Sequence, residues 1–315
     1  MDALVGFLDG PRARGAFALR VLMNPPWSIR IQDRAPLSLV ALVRGTAWVM
    51  PDGGEAAPME PGDVTVLRGP DTYTFADDPT TRPRIVIHPG QRCATPGGAD
   101  LHQAMDLGVR TWGNDPTGST VMLVGTYQQE GAVSHRLLGA LPPLLVVRRD
   151  TWDTPLISLL GEEIVRDEPG QEVVLDRLLD LLLVAVLRTW FSRPESDAPA
   201  WYRAQGDPLV GRALRMLHNN PAQPWTVATL AAAVGSSRAA LARRFTELVG
   251  EPPMSFLTGW RLALAADLLR EPDATVAAVA REVGYGSAFA LSTAFKRVRG
   301  VSPTEHRAAL VPATP

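Results

Sequence analysis

The sequence predicts an α+β protein whose first half is a β-barrel and whose second half is entirely helical. Three observations predict this class. Residues from about Ser28 to Val147 form short β-branched or aromatic runs separated by turn residues, which is typical of a barrel or sandwich. From Pro155 onward the apolar residues recur at helical spacing. One stretch is also written twice, beginning at Thr226 and again at Thr275, which indicates a duplicated structural unit.

Composition indicates how many domains the chain can form and which classes of protein it can belong to. The 315 residues, 46% of them hydrophobic, suffice for about two domains with ordinary cores. The opening "MDALVGFLDGPRARG" lacks the apolar core of a secretory signal, and the apolar run from Leu178 to Leu187 is too short to span a membrane. The single Cys93 excludes an intramolecular disulfide. We therefore expect a cytoplasmic protein with no membrane partner.

Charge is distributed unequally along the chain. Residues 206–315 contain 12 Lys and Arg against 8 Asp and Glu, a net charge of +4, whereas residues 1–205 have a net charge of −6. This asymmetry is typical of a nucleic-acid-binding module joined to a separate acidic domain. An architectural DNA-binding protein without a ligand would be far more basic than this chain.

The predicted barrel occupies residues 1–150. In it, "LVALVRGTAWVM" followed by "PDGG" is a strand that enters a tight turn, and "PGDVTVL" begins another strand after a turn. Four aromatic residues of this region are candidates to line a ligand cavity: Trp27, Trp48, Tyr73 and Phe75. The same aromatics could equally fill the interior of a small barrel, so both interpretations stay open.

Two helices are predicted at about 153–192, where "PLISLLGEEIVRD" and "EVVLDRLLDLLLVAVLRTWF" flank a turn at Pro169 and Gly170. The second helix is apolar nearly all round from Val173 to Leu187, so two of its faces must be buried. One face would pack on the barrel and the other on a second copy of the chain, which predicts a homodimer through Leu156 to Phe191. The alternative is an interior helix of a single domain.

A linker is predicted at "SRPESDAPAWYRAQGDP", which is rich in Pro, Ser, Ala and charge and has no apolar periodicity. This boundary divides the chain into a first domain of residues 1–200 and a second domain of residues 206–312.

The repeated stretch has the pattern of a helix-turn-helix unit. A Thr in N-cap position precedes a short helix, a Gly ends that helix, and a Ser caps a second helix whose Leu and Phe lie four residues apart on one buried face. In the first unit these residues are Thr226, Gly235, Ser237, Leu241 and Phe245, and in the second they are Thr275, Gly284, Ser287, Leu291 and Phe295.

At 100° per residue, the face opposite each buried pair can be assigned. It contains Ala239, Arg243 and Thr246 in the first unit, with Arg244 to one side, and Phe289, Thr293 and Lys296 in the second, with Arg297 to one side. An exposed Arg in mid-helix can reach guanine O6 and N7, and an exposed Phe can contact a thymine methyl group. We expect Arg244, Lys296 and Arg297 to meet phosphates. The alternative is that both faces are ordinary solvated surface and that Phe289 packs on a neighbouring helix.

The segment between the two units, "PMSFLTGWRLALAADLLRE", predicts one helix of up to about 19 residues, roughly 28 Å long. That length approaches the 34 Å turn of B-DNA, so the two second helices could enter successive major grooves.

Residues Asp207 to Ala308 resemble the DNA-binding domain of the AraC/XylS family of bacterial transcription regulators. The resemblance rests on "WRLALAADLL", "REVGY", "AFKR" and "GVSPTEHR". It implies sequence-specific binding of double-stranded DNA, with RNA polymerase as a further partner. The family's base-facing positions fall on Ala239, Ala242 and Arg243 in the first unit and on Phe289 and Thr293 in the second. The complete set of candidate DNA-binding residues is Ser237, Arg238, Ala239, Ala242, Arg243, Arg244, Ser287, Phe289, Thr293, Lys296 and Arg297.

The second unit departs from the family pattern. Many members have Arg at the position of Thr293, a polar residue at that of Phe289, and Phe at that of Leu291. We therefore expect Arg243 to contribute more to base reading than the second unit.

The first half resembles the cupin-type sensor domain found in one branch of that family. The resemblance rests on "IRIQDRAPLSLVALVRGTAWV", "MEPGDVTVLRGPDTYTFADDP", "VIHPGQRC" and "LLGALPPLLVV". It implies control by an unidentified small-molecule effector or by a redox signal. The predicted function is thus a signal-responsive transcription regulator that has no catalytic residues.

The alternative function is a metal-dependent cupin enzyme fused to a DNA-binding module. Such an enzyme needs a His-x-His pair with a Glu and a further His. No His-x-His occurs here, and Asp71 and Tyr73 stand where the branch often has His, so we expect no cofactor and no metal. A zinc or copper site among His88, Cys93, His102 and His135 stays open, although their spacing fits no compact motif.

Cys93 is also a candidate redox sensor. It follows Arg92, and a nearby cation could lower the pKa of the thiol and make it reactive. The alternative is an ordinary, partly buried thiol.

Overall fold

The structure, a computed structural model, describes residues 17–127, 138, 141–193, 198–269, 271 and 273–308. They fall into two compact units, the barrel unit (described residues 17–127, 138 and 141–193) and the C-terminal unit (described residues 198–308). The described residues of the first unit form twelve strands with three α-helices, and the second unit is helical, so the predicted α+β class is confirmed.

Two six-stranded sheets form the barrel unit. In chain order the strands are β1 Phe17–Met23, β2 Ser28–Ile31, β3 Leu37–Arg44, β4 Ala47–Pro51, β5 Ala57–Met59, β6 Val64–Arg68, β7 Tyr73–Ala76, β8 Ile85–His88, β9 Arg92–Ala94, β10 Thr111–Gly113, β11 Thr120–Tyr127 and β12 Leu144–Val147. The first sheet has the order β10-β1-β11-β3-β6-β12, and the second has the order β5-β4-β7-β2-β8-β9.

Strand β1 lies ahead of Ser28, where the strand-like region was predicted to begin, so that boundary is wrong. Its sequence "FALRVLM" contains Val21 as the only β-branched residue, which makes its local preference for a strand weak. Pairing decides its structure, because β1 runs antiparallel to β11 over its whole length, from Phe17 opposite Thr126 to Met23 opposite Thr120.

Side chains alternate across β11 between the barrel interior and its outer face. Met122, Val124 and Thr126 line an internal cavity. Gly125 faces the other way, and a Cβ built on it would lie 2.5 Å from Cδ2 of Leu179. The outer face of this sheet is therefore covered so closely by a helix that the strand needs a glycine there.

The helices of the barrel unit are a short α1 at His102–Met105 and the predicted pair, α2 at Leu156–Glu163 and α3 at Gln171–Phe191. Gly170 has φ 87° in the predicted turn between α2 and α3. Seven apolar side chains of α3 are buried: Leu175, Leu179, Leu182, Leu183, Val186, Leu187 and Phe191. The opposite face stays exposed, with Val173 at 63%, Val174 at 44% and Leu181 at 53% of their full accessible area.

The predicted linker is wrong in its second half. Ala200–Arg203 form helix α4, and Ala204–Gly206 form a 3-10 turn. Trp201 and Ala204 are buried in the core of the C-terminal unit. Their spacing of three residues is helical, but a segment of one turn is too short to show an apolar period in the sequence.

The C-terminal unit continues with α5 Pro208–Asn219, α6 Val227–Ala233, α7 Arg238–Val249, α8 Pro253–Leu268, α9 Val276–Glu282, α10 Ala288–Arg299 and α11 Pro303–Ala308. The four predicted caps are present, because the side chains of Thr226, Ser237, Thr275 and Ser287 each accept a hydrogen bond from a backbone N–H of the helix that follows. Two helix-turn-helix units, α6–α7 and α9–α10, are thus connected by α8.

Helix α8 is shorter than predicted. It contains 16 residues, which corresponds to about 24 Å at 1.5 Å per residue. It ends at Leu268, and Leu269 caps it, so the last residues of the predicted helix are not part of it. Phe256 and Trp260 of this helix are buried in one core with Phe245 of the first unit and Phe295 of the second. No helix of the described residues is long and apolar enough to cross a membrane.

Candidate DNA-binding surface and barrel cavity

The two second helices, α7 and α10, orient their side chains as the sequence predicts. Leu241 and Phe245 are buried under α7, and Leu291 and Phe295 are buried under α10. On the opposite faces, all six assigned residues are exposed: Ala239, Arg243, Thr246, Phe289, Thr293 and Lys296. The assignment of buried and exposed faces is confirmed.

Arg243 and Arg244 are neighbours with different surroundings. The guanidinium of Arg243 is exposed and makes no hydrogen bond or ion pair to any residue that the structure describes. Arg244 donates from Nε to Oδ2 of Asp207 at 3.1 Å and from Nη1 to Oε2 of Glu247 at 3.3 Å. The carboxylates already neutralise Arg244 and would repel a phosphate, so the structure does not support the predicted phosphate contact of this residue.

Asp207 is a residue whose role the sequence analysis missed. Its Oδ1 accepts hydrogen bonds from the backbone N–H groups of Leu209 and Val210, which caps α5. An Asp followed by Pro208 at the first helical position is a recognisable start signal. Asp207 and Arg244 therefore connect the start of α5 with the middle of α7.

Phe289 is 81% exposed on α10. The alternative interpretation, in which it packs on a neighbouring helix, is therefore wrong. Thr293 lies one turn further, and its Oγ1 donates to the backbone oxygen of Phe289 at 2.9 Å. Ala242, a base-facing position by resemblance, is only half-exposed. The face of α10 thus offers one large apolar side chain beside a hydroxyl that already has an acceptor.

The remaining candidates divide into caps and exposed cations. Ser237 and Ser287 accept hydrogen bonds from Ala240 and Ala290 at 3.2 and 3.1 Å, so their hydroxyls hold the starts of α7 and α10. The exposed cations are Arg238, Lys296 and Arg297.

A cavity of about 510 Å³ lies between the two sheets of the barrel unit. Tyr73 and Phe75 line it, with their rings 5.9 Å apart and nearly perpendicular. The other two predicted residues do not line it, which corrects the prediction. Trp27 is buried within the packed core, and Trp48 alternates with Ala47 and Val49, so it lies on the other side of β4.

Cys93 also lines this cavity and is only 3% exposed. Burial raises the pKa of the Cys93 thiol to about 11, and the negative charge of Asp100 contributes to the increase. The alternative in which Arg92 lowers this pKa is wrong, because the loss of hydration outweighs an exposed cation nearby.

Of the candidate metal ligands, Cys93 and His102 line the same cavity. His88 accepts a hydrogen bond at Nδ1 from Nε2 of Gln32 at 3.0 Å, and His102 is exposed at the cavity mouth. His135 lies outside the described residues. Within the described ranges, no group of three or more His, Cys, Asp or Glu is placed to hold a metal ion.

Comparison with known proteins agrees with this architecture. Residues 2–192 match the cupin family, and residues 230–309 match a helix-turn-helix domain family. An AraC-like transcription regulator of Streptomyces lividans is 34% identical over 313 residues, which cover 98% of each chain. The chain belongs to the AraC family. A second relative, the HTH-type transcriptional regulator AlkR of Acinetobacter baylyi, is 32% identical over 315 residues, 98% of this chain and 99% of that one.

Among solved structures, the DNA-binding domain of AdpA in complex with a target DNA is 36% identical to this chain. The match covers 33% of this chain and 93% of that domain, with a TM-score of 0.31. These two relatives are transcription regulators and not enzymes. The chain is accordingly an AraC-type DNA-binding transcription regulator, and its relatives do not support the alternative of a cupin enzyme.

Proposed function

We propose that this AraC-family protein binds its operator as a homodimer and that a small molecule in the barrel cavity controls the binding. The observation that carries the proposal is the cavity itself, about 510 Å³ in a unit whose α3 also presents an exposed apolar face. A cavity of this size lies within the roughly 300–1,000 Å³ range of small-molecule sites.

The exposed residues of α7 and α10 are the proposed DNA contacts. Arg243 has both terminal nitrogens available for a bidentate contact to guanine, and Phe289 offers an apolar surface to a thymine methyl group. Arg238, Lys296 and Arg297 have the exposure and charge that phosphate contacts require. The paired Arg244 has a structural role in this proposal.

Binding isotherms at several salt concentrations test these roles. The specific duplex is the tightest binder selected from a random-sequence pool, and the control duplex is its scrambled version. Arg243→Ala should cost about 1–3 kcal/mol on the specific duplex and little on the scrambled one. Lys296→Ala should weaken both equally and reduce the salt slope by about one phosphate contact. If Arg243→Ala loses equal affinity for both duplexes, this residue contacts only the DNA backbone and does not read the base sequence.

The proposed dimer forms through α3. Val174, Leu178, Leu181 and Ala185 follow one another at spacings of four, three and four residues, so they form one stripe along the helix. Leu181 is 53% exposed in this stripe, which is costly in water and is relieved when an identical stripe packs against it.

Sedimentation of the full chain at micromolar concentration tests the dimer. Leu181→Glu should convert the dimer to a monomer. Val301→Glu is the matched control, because Val301 is also 41% exposed and belongs to the C-terminal unit. A monomeric parent protein, or a Leu181→Glu variant that stays dimeric, contradicts the proposed interface.

A further inference from the structure

We propose that the barrel cavity takes an amphiphilic anion, an apolar molecule whose single carboxylate or sulfonate group pairs with Arg110. This inference rests on the proposed function, since the anion would be the effector. Gln171 at the start of α3 holds Arg110 in place and connects the site with the α2–α3 pair.

The interior of the cavity selects for an apolar body. Both sheets contribute aliphatic and aromatic side chains to it: Leu19, Val21, Ile29, Ile31, Val40, Phe75, Ile87, Trp112, Met122 and Val124. Burial of apolar surface contributes about 25 cal/mol per Å², so the body of the ligand would supply most of the affinity.

The charged side chains that line the cavity are two arginines, Arg92 and Arg110, and three carboxylates that each accept a hydrogen bond. Asp33 accepts a hydrogen bond at Oδ2 from Gln91 Nε2 at 2.9 Å. Asp100 accepts from the backbone N–H of His102 at 2.8 Å, and Asp106 accepts from that of Gly108 at 3.0 Å. These bonds occupy part of the hydrogen-bonding capacity of the carboxylates: those of Asp100 and Asp106 each hold a turn of their own loop, and that of Asp33 joins two loops.

Arg110 has the opposite character. Its Nε donates to Oε1 of Gln171 at 3.2 Å, whereas its two terminal nitrogens donate to no atom of the described residues. Its backbone oxygen accepts a hydrogen bond from Arg20 of β1 at 2.8 Å. It also has φ 43°, in the left-handed region that non-glycine residues rarely adopt, and such strain is commonest at functional sites. The guanidinium is thus fixed at one edge and has its other edge available for a bidentate carboxylate.

Gln171 is the positioning residue of this site. It is only 7% exposed, and its Nε2 donates to the backbone oxygen of Glu163 at 2.8 Å and to that of Arg166. One amide therefore joins the cavity mouth, the end of α2 and the start of α3. An anion that binds Arg110 would change the hydrogen bond from Arg110 Nε to Gln171 Oε1. Because Gln171 is the first residue of α3, the position of this helix and of its proposed dimer stripe would change as well.

Calorimetric titration of the full chain with three probes of one shape tests the charge preference. The probes are 1-naphthylacetate, 2-(1-naphthyl)ethanol and 2-(1-naphthyl)ethylamine, which differ only in the head group. The anion should bind at least about tenfold more tightly than the alcohol, consistent with one charge-assisted pair, and the ammonium should bind weakest. Equal affinities, tighter binding of the ammonium, or no binding of any probe would overturn the inference.

Variants assign the preference to Arg110. Arg110→Gln should bring the affinity for 1-naphthylacetate down to that for the alcohol and leave the alcohol unchanged. Arg110→Lys keeps the charge but not the planar fork, so it should retain only part of the preference, and an undiminished preference in this variant would also overturn the inference. Arg82→Gln, at an exposed position outside the cavity lining, is the matched control and should change nothing. An unaltered preference in Arg110→Gln overturns the inference.

The role of Gln171 needs a second readout. Gln171→Met should still bind 1-naphthylacetate within about threefold of the parent protein, but the probe should no longer alter the dimer or operator affinity. A probe-induced change as large as that of the parent overturns the role of Gln171. Operator binding without probe is measured separately. Its absence in the parent protein contradicts the proposed function, whereas normal operator binding without an anion preference overturns only this inference.

Discussion

The guanidinium of Arg261 donates from Nη2 to the backbone oxygen of Gln223 at 2.8 Å, which connects helix α8 to the turn ahead of the first helix-turn-helix unit. Its Nε donates to the oxygen of Pro221 at 2.7 Å in the same turn. A Cβ built on Gly284, at the turn of the second unit, would lie 2.9 Å from Nη2. One side chain of the connecting helix thus bonds to the turn ahead of the first unit and lies close to the turn of the second.

Substitution of Arg261 should therefore change the relative placement of the two units. We expect Arg261→Ala to lower the free energy of unfolding by about 2–3 kcal/mol, because two hydrogen bonds from a charged donor are lost. It should also weaken binding to a full operator more than binding to a duplex that contains half of it. Arg261→Lys retains the charge but not the planar fork, and should recover only part of both losses.

Urea unfolding and binding isotherms measure these effects. Arg215→Ala, at an exposed position on α5, is the control and should alter neither. Equal losses on the full and half operators in Arg261→Ala would mean that the residue does not set the relative placement of the units.

Asp207 makes the stability of the C-terminal unit depend on pH. Its hydrogen bond from the Val210 N–H, aided by the Arg244 pair, lowers the pKa of the Asp207 carboxyl group. Because this pKa is lower in the folded state, the stabilisation is complete above the ordinary carboxyl pKa and is lost as pH falls below about 4. Asp207→Ala should cost about 1 kcal/mol at pH 7 through loss of the cap, and this cost should shrink in acid.

Denaturation between pH 2 and pH 7 measures this dependence, with Asp273→Ala as the control at an exposed carboxylate of the same unit. A loss of stability in Asp207→Ala that is the same at every pH would contradict the assignment.

Cys93 should be unreactive in the folded protein. With its pKa raised to about 11 by burial, the thiol is almost wholly protonated at pH 8, and the thiolate is the reacting species. A disulfide reagent such as dithionitrobenzoate should react slowly with the native chain and rapidly after denaturation. Cys93→Ser should fold and bind DNA as the parent protein does. Rapid reaction of the native thiol would contradict this prediction. An oxidant that changes DNA binding in the parent but not in Cys93→Ser would support the interpretation of Cys93 as a redox sensor.

Asp63 should be a main contributor to the stability of the barrel unit. It is 3% exposed, its Oδ1 accepts from the Arg149 N–H at 2.9 Å, and its Oδ2 accepts from the Glu60 N–H at 3.0 Å and from Arg148 Nη1 at 2.8 Å. Asp63→Ala leaves these donors unpaired and should cost about 2–4 kcal/mol. Asp150→Ala nearby, at an exposed position, should cost less than about 0.5 kcal/mol in the same urea titration. A cost for Asp63→Ala as small as that of the control would contradict this role.

Local patterns in the sequence were enough to predict the helix-turn-helix units. Ser237 and Ser287 cap the helices that follow them, and Leu241 and Phe245 face the core as their spacing requires. These features depend on residues at most four positions apart, because cap bonds and helix faces are set within one turn. The one-turn helix at Ala200–Arg203 escaped notice for the same reason, since it offers no full period.

Only the tertiary structure decided the chemistry of the candidate sites. Tyr73 lines the cavity and Trp48 does not, because strand pairing sets which residues face inward and a shift of one residue reverses the choice. Arg244 meets Asp207 from 37 positions away, and Arg110 meets Gln171 from 61 positions away. Such contacts depend on how distant segments pack, and the pKa of a side chain such as that of Cys93 follows from the burial that packing creates.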